Sequence, residues 1–425
     1  MSVVRSSFLL LNNANASKLD LLHAFMREYR GVVQKIIDHV WGHGCDIPGI
    51  VLNIPEGILN VPSFIPVAVL PVLDTTLSAR AVKCASSQAM SMIKAAFVRR
   101  RKDQYWLTKI ADGRIPKPLQ QRLSRPLVKP NASGIKAELN SICARLSWET
   151  ETSFDGWFEM FSLGKVYGKL YFPVKRHRHL NKLAGGKQLA GILVSETRID
   201  VRFAKEPPAR LECATQTVGG DTGLKSVLTL SDGQVTPFFD SDGYSLDTIC
   251  ERLARRKKGS KAFERTQTHR TNFINWTINQ LNFGHIKELR LERVKNINYG
   301  RRAPRHMQAW TNSDIQRKVE RLMEERNVSV KLQSPTYKSQ RCSSCGNVRK
   351  ANRKGKVYTC RRCGFIGDAD LNAACNHAQN LSPIPDAFFR TKKNLGHGFL
   401  WTSSGCFTLS EAELAVPPST EKAYA

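Results

Sequence analysis

The chain has 425 residues, 41% of them apolar, and a formal charge of +29. That is enough chain for several packed domains, and the composition excludes wholesale disorder. A charge this large repels itself unless a polyanion neutralises it, which points to nucleic acid first and an anionic membrane surface second. No apolar run reaches the roughly 18 residues a membrane-spanning helix needs, and Met1 to Asn12 lacks the apolar length and cleavage site of a signal peptide.

Residues 3–11 are rich in Val, Phe and Leu and read as a strand buried on both faces. From Lys18 to Trp41, Leu19, Leu22, Phe25, Met26, Tyr29, Val33 and Ile36 recur at helical spacing, with Ser17 in N-cap position. A region punctuated by Pro and Gly follows from Pro48 to Pro71, then a second helix from about Thr76 to Trp106, then a proline-bearing loop over 113–135. Between Ile142 and Leu211 the runs Trp157–Ser162, Lys169–Val174, Leu189–Val194 and Ile199–Phe203 read as an antiparallel β region. With the first strand it forms an expected barrel holding the helices as an insertion.

After Pro207–Pro208 the pattern changes again. A strand over Thr217–Leu230 turns sharply at Gly219–Gly223, and Ser231-Asp232-Gly233 is a hairpin turn. A long helix is expected over Leu246–Asn282, a strand over His285–Val294, a helix over Ile315–Arg326 and a strand over Val328–Leu332. The stretch after Asn380 carries four prolines, and its last dozen residues read as mobile.

Of eleven cysteines, four stand in two pairs, Cys342-x2-Cys345 and Cys360-x2-Cys363, each followed by glycine. Two such knuckles supply four thiolates, which suits one structural zinc with no position left for water. Paired thiols beside dispersed ones fit a reducing compartment, the cytoplasm of a prokaryote, and argue against a disulfide framework. The interval between the pairs is basic, so the ribbon is either a nucleic-acid contact, a folding staple, or both.

Three acidic neighbourhoods flank or adjoin this ribbon: Gly219-Gly220-Asp221-Thr222-Gly223, Glu288-Leu289-Arg290-Leu291-Glu292 and Gly367-Asp368-Ala369-Asp370-Leu371-Asn372-Ala373-Ala374. Taken singly, each reads more simply as a turn, a salt-bridge partner or a helix cap. Taken together, the segment from Gly219 to about Asn376 resembles the RuvC-like nuclease of TnpB, the transposon-encoded RNA-guided nucleases, and of compact type V CRISPR effectors. The matching residues include Gly220-Asp221-x-Gly223, Glu292, Tyr337-x-Ser339-Gln340-x-Cys342, both Cys pairs, and Ala369-Asp370-Leu371-Asn372-Ala373-Ala374.

The resemblance implies a Mg2+-dependent, RuvC-like endodeoxyribonuclease, in which Asp221, Glu292 and Asp370 hold two catalytic magnesium ions roughly 4 Å apart. One zinc is held by Cys342, Cys345, Cys360 and Cys363. The partners it implies are a guide RNA and target DNA, with no membrane, as a monomer or homodimer. Where the family often has Asp after the second-motif Glu, this chain has Arg293, which leaves Glu288 as an alternative to Glu292. The expected fold is multidomain α+β and α/β. Residues 1–14 and 140–212 form the barrel, 15–139 a helical recognition insertion, and 213–334 with 366–400 a ribonuclease-H-like nuclease. Residues 335–365 form the ribbon and 401–425 a mobile tail. Arg255, Arg256, Lys257 and Lys258, together with Lys175 and Arg176, are the expected phosphate contacts that hold a guide–target duplex by shape. Three other readings remain: guided binding with little or no cleavage, guide-independent DNA binding as a transposition accessory, and a dimeric junction nuclease.

Overall fold

A computed structural model describes residues 2–43, 50–53, 58–60, 62–66, 73–108, 121, 123–148, 151–183, 185–293, 305–385 and 398–409. The chain divides into two compact units, Met1–Glu206 and Pro207–Ala425, with the border at the Pro207–Pro208 pair.

The first unit runs β1 (Val3–Leu10), α1 (Ala16–His43), β2 (Val51–Asn53), β3 (Ile58–Asn60), α2 (Ala79–Thr108), β4 (Ala137–Leu139), β5 (Ala144–Ser147), β6 (Gly156–Met160), β7 (Leu170–Val174), α3 (Arg178–Leu183), β8 (Lys187–Gln188), β9 (Ile192–Val194) and β10 (Arg198–Lys205). As expected, the first strand joins the later β region: β1 pairs antiparallel with β10 from Val3 opposite Lys205 to Leu10 opposite Arg198. It is not buried on both faces, however. Val4, Phe8 and Leu10 are exposed on one side while Val3, Leu9 and Leu11 are buried, the alternation of an ordinary half-buried strand.

The expected closed barrel is absent among the described residues. One sheet has the order β1-β10-β9-β4 with β8 against β10, and β5-β6-β7 form a separate sheet. The reason lies at the free edge of β4. There the Gln88 side chain on α2 donates to Lys136 O at 2.8 Å and accepts from Glu138 N at 3.0 Å. A helix side chain thus satisfies the backbone groups a closing strand would have taken. Phe25, Tyr29, Ile36, Met90 and Phe97 of the two long helices share one apolar core with Phe158, Phe172, Val194 and Val201 of the sheets. The helices are therefore packed into this unit's core rather than standing apart from it.

The second unit runs β11 (Gln216–Asp221), β12 (Thr229–Leu230), α4 (Leu246–Arg255), α5 (Lys261–Asn279), β13 (Ile286–Glu292), α6 (Arg305–Ala309), α7 (Asn312–Glu325), β14 (Ser329–Gln333), β15 (Asn347–Val348), β16 (Arg353–Lys354), β17 (Val357–Thr359), β18 (Ile366–Asp368), α8 (Ala369–Ala378), β19 (Phe399–Trp401) and β20 (Cys406–Thr408). Its main sheet has the order β12-β11-β13-β14, with β11, β13 and β14 parallel and β12 antiparallel. Side chains alternate across it. Val218, Leu289 and Leu291 face an apolar core built with Ile249, Phe273, Ile274 and Val319 of the helices. Gly219, Asp221, Arg290 and Glu292 fall on the opposite face, where α8 lies against Gly219.

The single helix expected over Leu246–Asn282 is two helices, α4 and α5. The basic run Arg255-Arg256-Lys257-Lys258 forms their junction: Arg256 is already extended, and Ser260 starts the next helix by accepting from Phe263 N at 3.1 Å. The tail expected from residue 401 is partly ordered, because β19 and β20 pair with each other and β19 pairs with β15 of the ribbon. Residues 410–425, including Pro417 and Pro418, and the loop residues 113–120 lie outside the described residues. Likewise, the border expected after 365 falls inside a sheet, since β16-β17-β18 is continuous and leads directly into α8. Among the described residues, no helix is long and apolar enough to cross a membrane.

Candidate active site

Two parallel neighbouring strands end in acids. Gly220 stands opposite Leu291, so Asp221 and Glu292, the last residues of β11 and β13, emerge side by side at the same sheet edge. The third carboxylate comes from α8. Asp368 precedes the helix and caps it, its Oδ1 accepting from Asp370 N and Leu371 N at 2.9 Å each. Asp370 then sits in the first turn, 5% exposed. Helical periodicity does not separate these two acids, because Asp368 belongs to β18; both line one cleft.

Small residues make this convergence possible. A Cβ on Gly219 would stand 2.0 Å from Ala374 O and 2.4 Å from Ala378 N, both helix backbone, so only glycine lets α8 lie this close. Ala373 and Ala374 are buried. The two asparagines of Asp370-Leu371-Asn372-Ala373-Ala374-Cys375-Asn376 hold the ribbon. Asn372 accepts from Ser343 N at 2.9 Å and donates to Arg341 O at 2.8 Å, and Asn376 donates to Lys338 O at 2.9 Å and Arg341 O at 2.7 Å. The first Cys knuckle is thereby locked to the helix that carries Asp370.

In the ribbon, the Sγ atoms of Cys342 and Cys363 are 3.7 Å apart and those of Cys345 and Cys360 are 3.6 Å apart. Four sulfurs at about 2.3 Å from a tetrahedral zinc are about 3.8 Å from each other. All four form one cluster, and Gly346 and Gly364 adopt φ +79° and +73° behind the knuckles, a turn that L side chains resist. The four-cysteine cluster fits a structural zinc.

Burial pushes the Asp221 carboxyl well above its ordinary range, and the neighbouring Glu292 and Asp370 push it further. Burial also raises Glu292, against hydrogen bonding from Thr222. Thr222 Oγ1 is 3.0 Å from both Glu292 Oε1 and Asn312 Oδ1, while the buried Asn312 Nδ2 has no partner. Turning the Asn312 amide over would let it donate to Thr222, leaving the hydroxyl proton for Glu292. Among the described residues neither Asp221 nor Glu292 is in an ion pair; Arg353 and Lys356 act on Asp221, and Arg353 on Glu292, only from a distance and do not offset the upward shifts. Such a donor set fits a divalent ion.

Asp370 differs. It is paired with Lys356, and Arg353 Nη2 reaches its Oδ1 at 3.1 Å; both cations come from the ribbon hairpin. Ser226 Oγ donates to its Oδ2 at 3.1 Å. Asp370 lies close enough to raise Asp221 but outside the group of donor atoms that lie within 4.8 Å of one another, which comprises Asp221, Glu292 and His377. Sequence reasoning missed His377. It is 1% exposed with Nδ1 unpartnered, and burial, then Lys338, lowers it to about 3, so its ring is neutral at ordinary pH. The available signal was spacing: seven residues after Asp370, two helical turns on, it returns to the same face.

Glu288 is not at this site. Arg290 Nε is 2.7 Å and Lys331 Nζ 2.6 Å from its carboxylate, and Arg290 ties it down to Ala378 O and Asn380. Arg255, Arg256, Lys257 and Lys258 are all exposed at the α4–α5 junction. Lys175 and Arg176 are exposed on the first unit, with Arg176 over the Trp148 ring at 4.3 Å and Lys175 over Phe154 at 5.7 Å. Beside Asp370 opens a cleft of roughly 430 Å³ lined by Lys225, Ser226, Phe238, Phe239 and Lys356. Its two phenylalanines are 49% and 61% exposed.

Residues 313–377, covering α7 to α8 and the ribbon, match the family model of the Cas12f1-like TNB domain. Over 75 residues the chain is 45% identical to the CRISPR-associated endodeoxyribonuclease Cas12f1 of Sulfoacidibacillus thermotolerans, covering 17% of this chain and 18% of that protein. Over 134 residues it is 29% identical to the protein of the same name from Syntrophomonas palmitatica, covering 29% and 26%. The chain thus aligns with about a quarter or less of the length of either relative. A cryo-EM structure of a Cas12f1–sgRNA–target DNA complex superposes with a TM-score of 0.49 at 13% identity, covering 85% of this chain and 82% of that one. Residues 313–377, which hold the ribbon and most of the helix that carries Asp370, are thus similar to the Cas12f1-like TNB domain.

Proposed function

We propose that the protein is an RNA-guided DNA endonuclease that hydrolyses phosphodiester bonds at Asp221, Glu292 and Asp370. The observation that carries this reading is the pair of raised carboxylates at adjacent parallel strand ends, with a third acid delivered by the helix packed on Gly219. The sheet, with three parallel strands and one antiparallel edge strand, supports assignment to a ribonuclease-H-like, RuvC-type nuclease over 213–334 and 366–400.

Asp221 and Glu292, with Asp370 once it is released from its ion pairs, would hold two divalent cations, Mg2+ by preference for oxygen ligands. When bound, these would activate the attacking water and stabilise the leaving oxygen. The remaining work falls to side chains. Arg353 and Lys356, freed from Asp370, are placed to meet the phosphate of the strand in the cleft. The apolar face of the sheet keeps the acids fixed through Leu289 and Leu291. The exposed cations at 255–258, 175 and 176 supply phosphate contacts for a guide RNA and its DNA target, so base pairing rather than protein side chains would select the sequence. The names of the two relatives support DNA as the substrate.

One observation favours a second reading, guided binding with little cleavage: Asp370 is held in ion pairs by Arg353 and Lys356 and so is not free to take a cation with Asp221 and Glu292. The test is a plasmid-cleavage assay with Mg2+ on protein carrying its copurified RNA, run beside a binding assay. Wild type should cut, Asp370→Ala should bind and not cut, and Asp368→Ala should cut after losing about 0.5–2 kcal/mol of stability as a lost helix cap. Wild type that binds a guided target without cutting it selects the second reading. Protein that emerges with no discrete RNA defeats both.

A further inference from the structure

We propose that His377 is a cation ligand that, with Asp221 and Glu292, builds a mixed nitrogen–oxygen site favouring a transition ion such as Mn2+ over Mg2+. The inference rests on the reading of Asp221 and Glu292 as cation-holding acids and goes beyond it by naming a third donor and the ion it prefers.

Three observations converge. First, a ring nitrogen of His377 and one carboxylate oxygen each from Asp221 and Glu292 all lie within 4.8 Å of one another. Donors held at about 2.1 Å by one ion are about 3–4.2 Å apart, so only small side-chain movements close the site. Second, the imidazole is 1% exposed, yet Nδ1 has no hydrogen-bond partner. A histidine buried only for packing would normally have its ring nitrogens satisfied. The next residue back shows the contrast: Asn376, equally buried, donates to two carbonyls. Third, side chains on a helix tilt toward its N-terminus, which carries the His377 ring from the last turn of α8 toward the carboxylate end of the sheet.

The chemistry then differs between the two ends of the acidic group. Asp370, which reaches Asp221 from the start of α8, offers only oxygen. The cluster of Glu292, Asp221 and His377 offers nitrogen as well. Mg2+ takes oxygen donors and holds its waters, whereas imidazole suits first-row transition ions. An all-carboxylate centre would bind Mg2+ at both positions alike; this one is asymmetric, with one position selective for a softer ion.

The test uses the full-length, zinc-loaded protein and Mn2+ alone as the probe. Binding is followed by loss of the aqua-ion signal in electron paramagnetic resonance, and ligation by nitrogen-14 modulation in the spin echo. Wild type should take up Mn2+ and show nitrogen coupling. His377→Leu should lose the coupling and bind Mn2+ about tenfold or more weakly, while Mg2+, measured by competition, changes less than about threefold. Asp221→Ala should abolish both uptake and coupling, which places the nitrogen at this site even if His377→Leu fails to fold. Mn2+ that binds in wild type, is lost in Asp221→Ala and shows no nitrogen coupling overturns the role of His377 and leaves the carboxylate reading standing. No uptake by wild type overturns both. Unchanged Mn2+ affinity in a folded His377→Leu also overturns the inference.

Discussion

Asp221 and Glu292 pay for their neighbourhood in protonation. A carboxyl whose folded pKa lies above its unfolded value, about 3.9 for Asp, binds its proton more tightly in the folded state. Its stabilising contribution is full below the unfolded value and is lost as pH rises through the folded one. Both acids are shifted upward. In Mg2+-free buffer, Asp221→Asn should therefore gain stability over wild type progressively as pH rises from 4 to 8. Saturating Mg2+ should shrink or reverse the gain. Urea unfolding at each pH measures it, and a difference independent of pH would mean the Asp221 carboxyl is not raised. Of the acids weighed from sequence, Glu288 was separated from Glu292 only by the fold. Four residues apart on one strand face, they differ in that Arg290 and Lys331 hold the first.

The ribbon and α8 act as one piece. Asn372 and Asn376 bind the first knuckle, β18 runs into the helix, and the hairpin between the Cys pairs brings Arg353 and Lys356 to Asp370. Cys360→Ser should lower zinc content below one per chain and lower the melting temperature, because a structural zinc site contributes folding free energy directly. Zinc analysis beside thermal unfolding checks this, and full zinc with an unchanged melting point would rule out the four-thiolate site. The break between α4 and α5 shows where periodicity misleads. The helical pattern resumes beyond Arg256–Ser260, but four successive cations, a glycine and a capping serine end one helix and begin another.

A chain at +29 should bind nucleic acid through released counterions, so affinity falls steeply with salt. Replacing Arg255, Arg256, Lys257 and Lys258 together by Gln should lower the slope of log affinity against log salt by about 1 for each phosphate contact removed. Titrations of guide RNA at several salt concentrations measure it, and an unchanged slope would mean this junction faces solvent.

Much of this was readable before any coordinates. Spacing alone pointed to the thiolate cluster, because CxxC pairs put sulfurs close by local geometry. The ends of β11 and β13 were visible as short apolar runs meeting an acid. Long-range closure was not readable. That β4 would give its edge to Gln88 instead of to a closing strand depends on where α2 packs, and that residues 399–408 would return to the ribbon depends on pairing across a distant segment. For His377 the sequence offered only its spacing from Asp370, because a buried imidazole and a surface one have the same letter. Its unpartnered Nδ1 beside two acids exists only once α8 has been laid on Gly219.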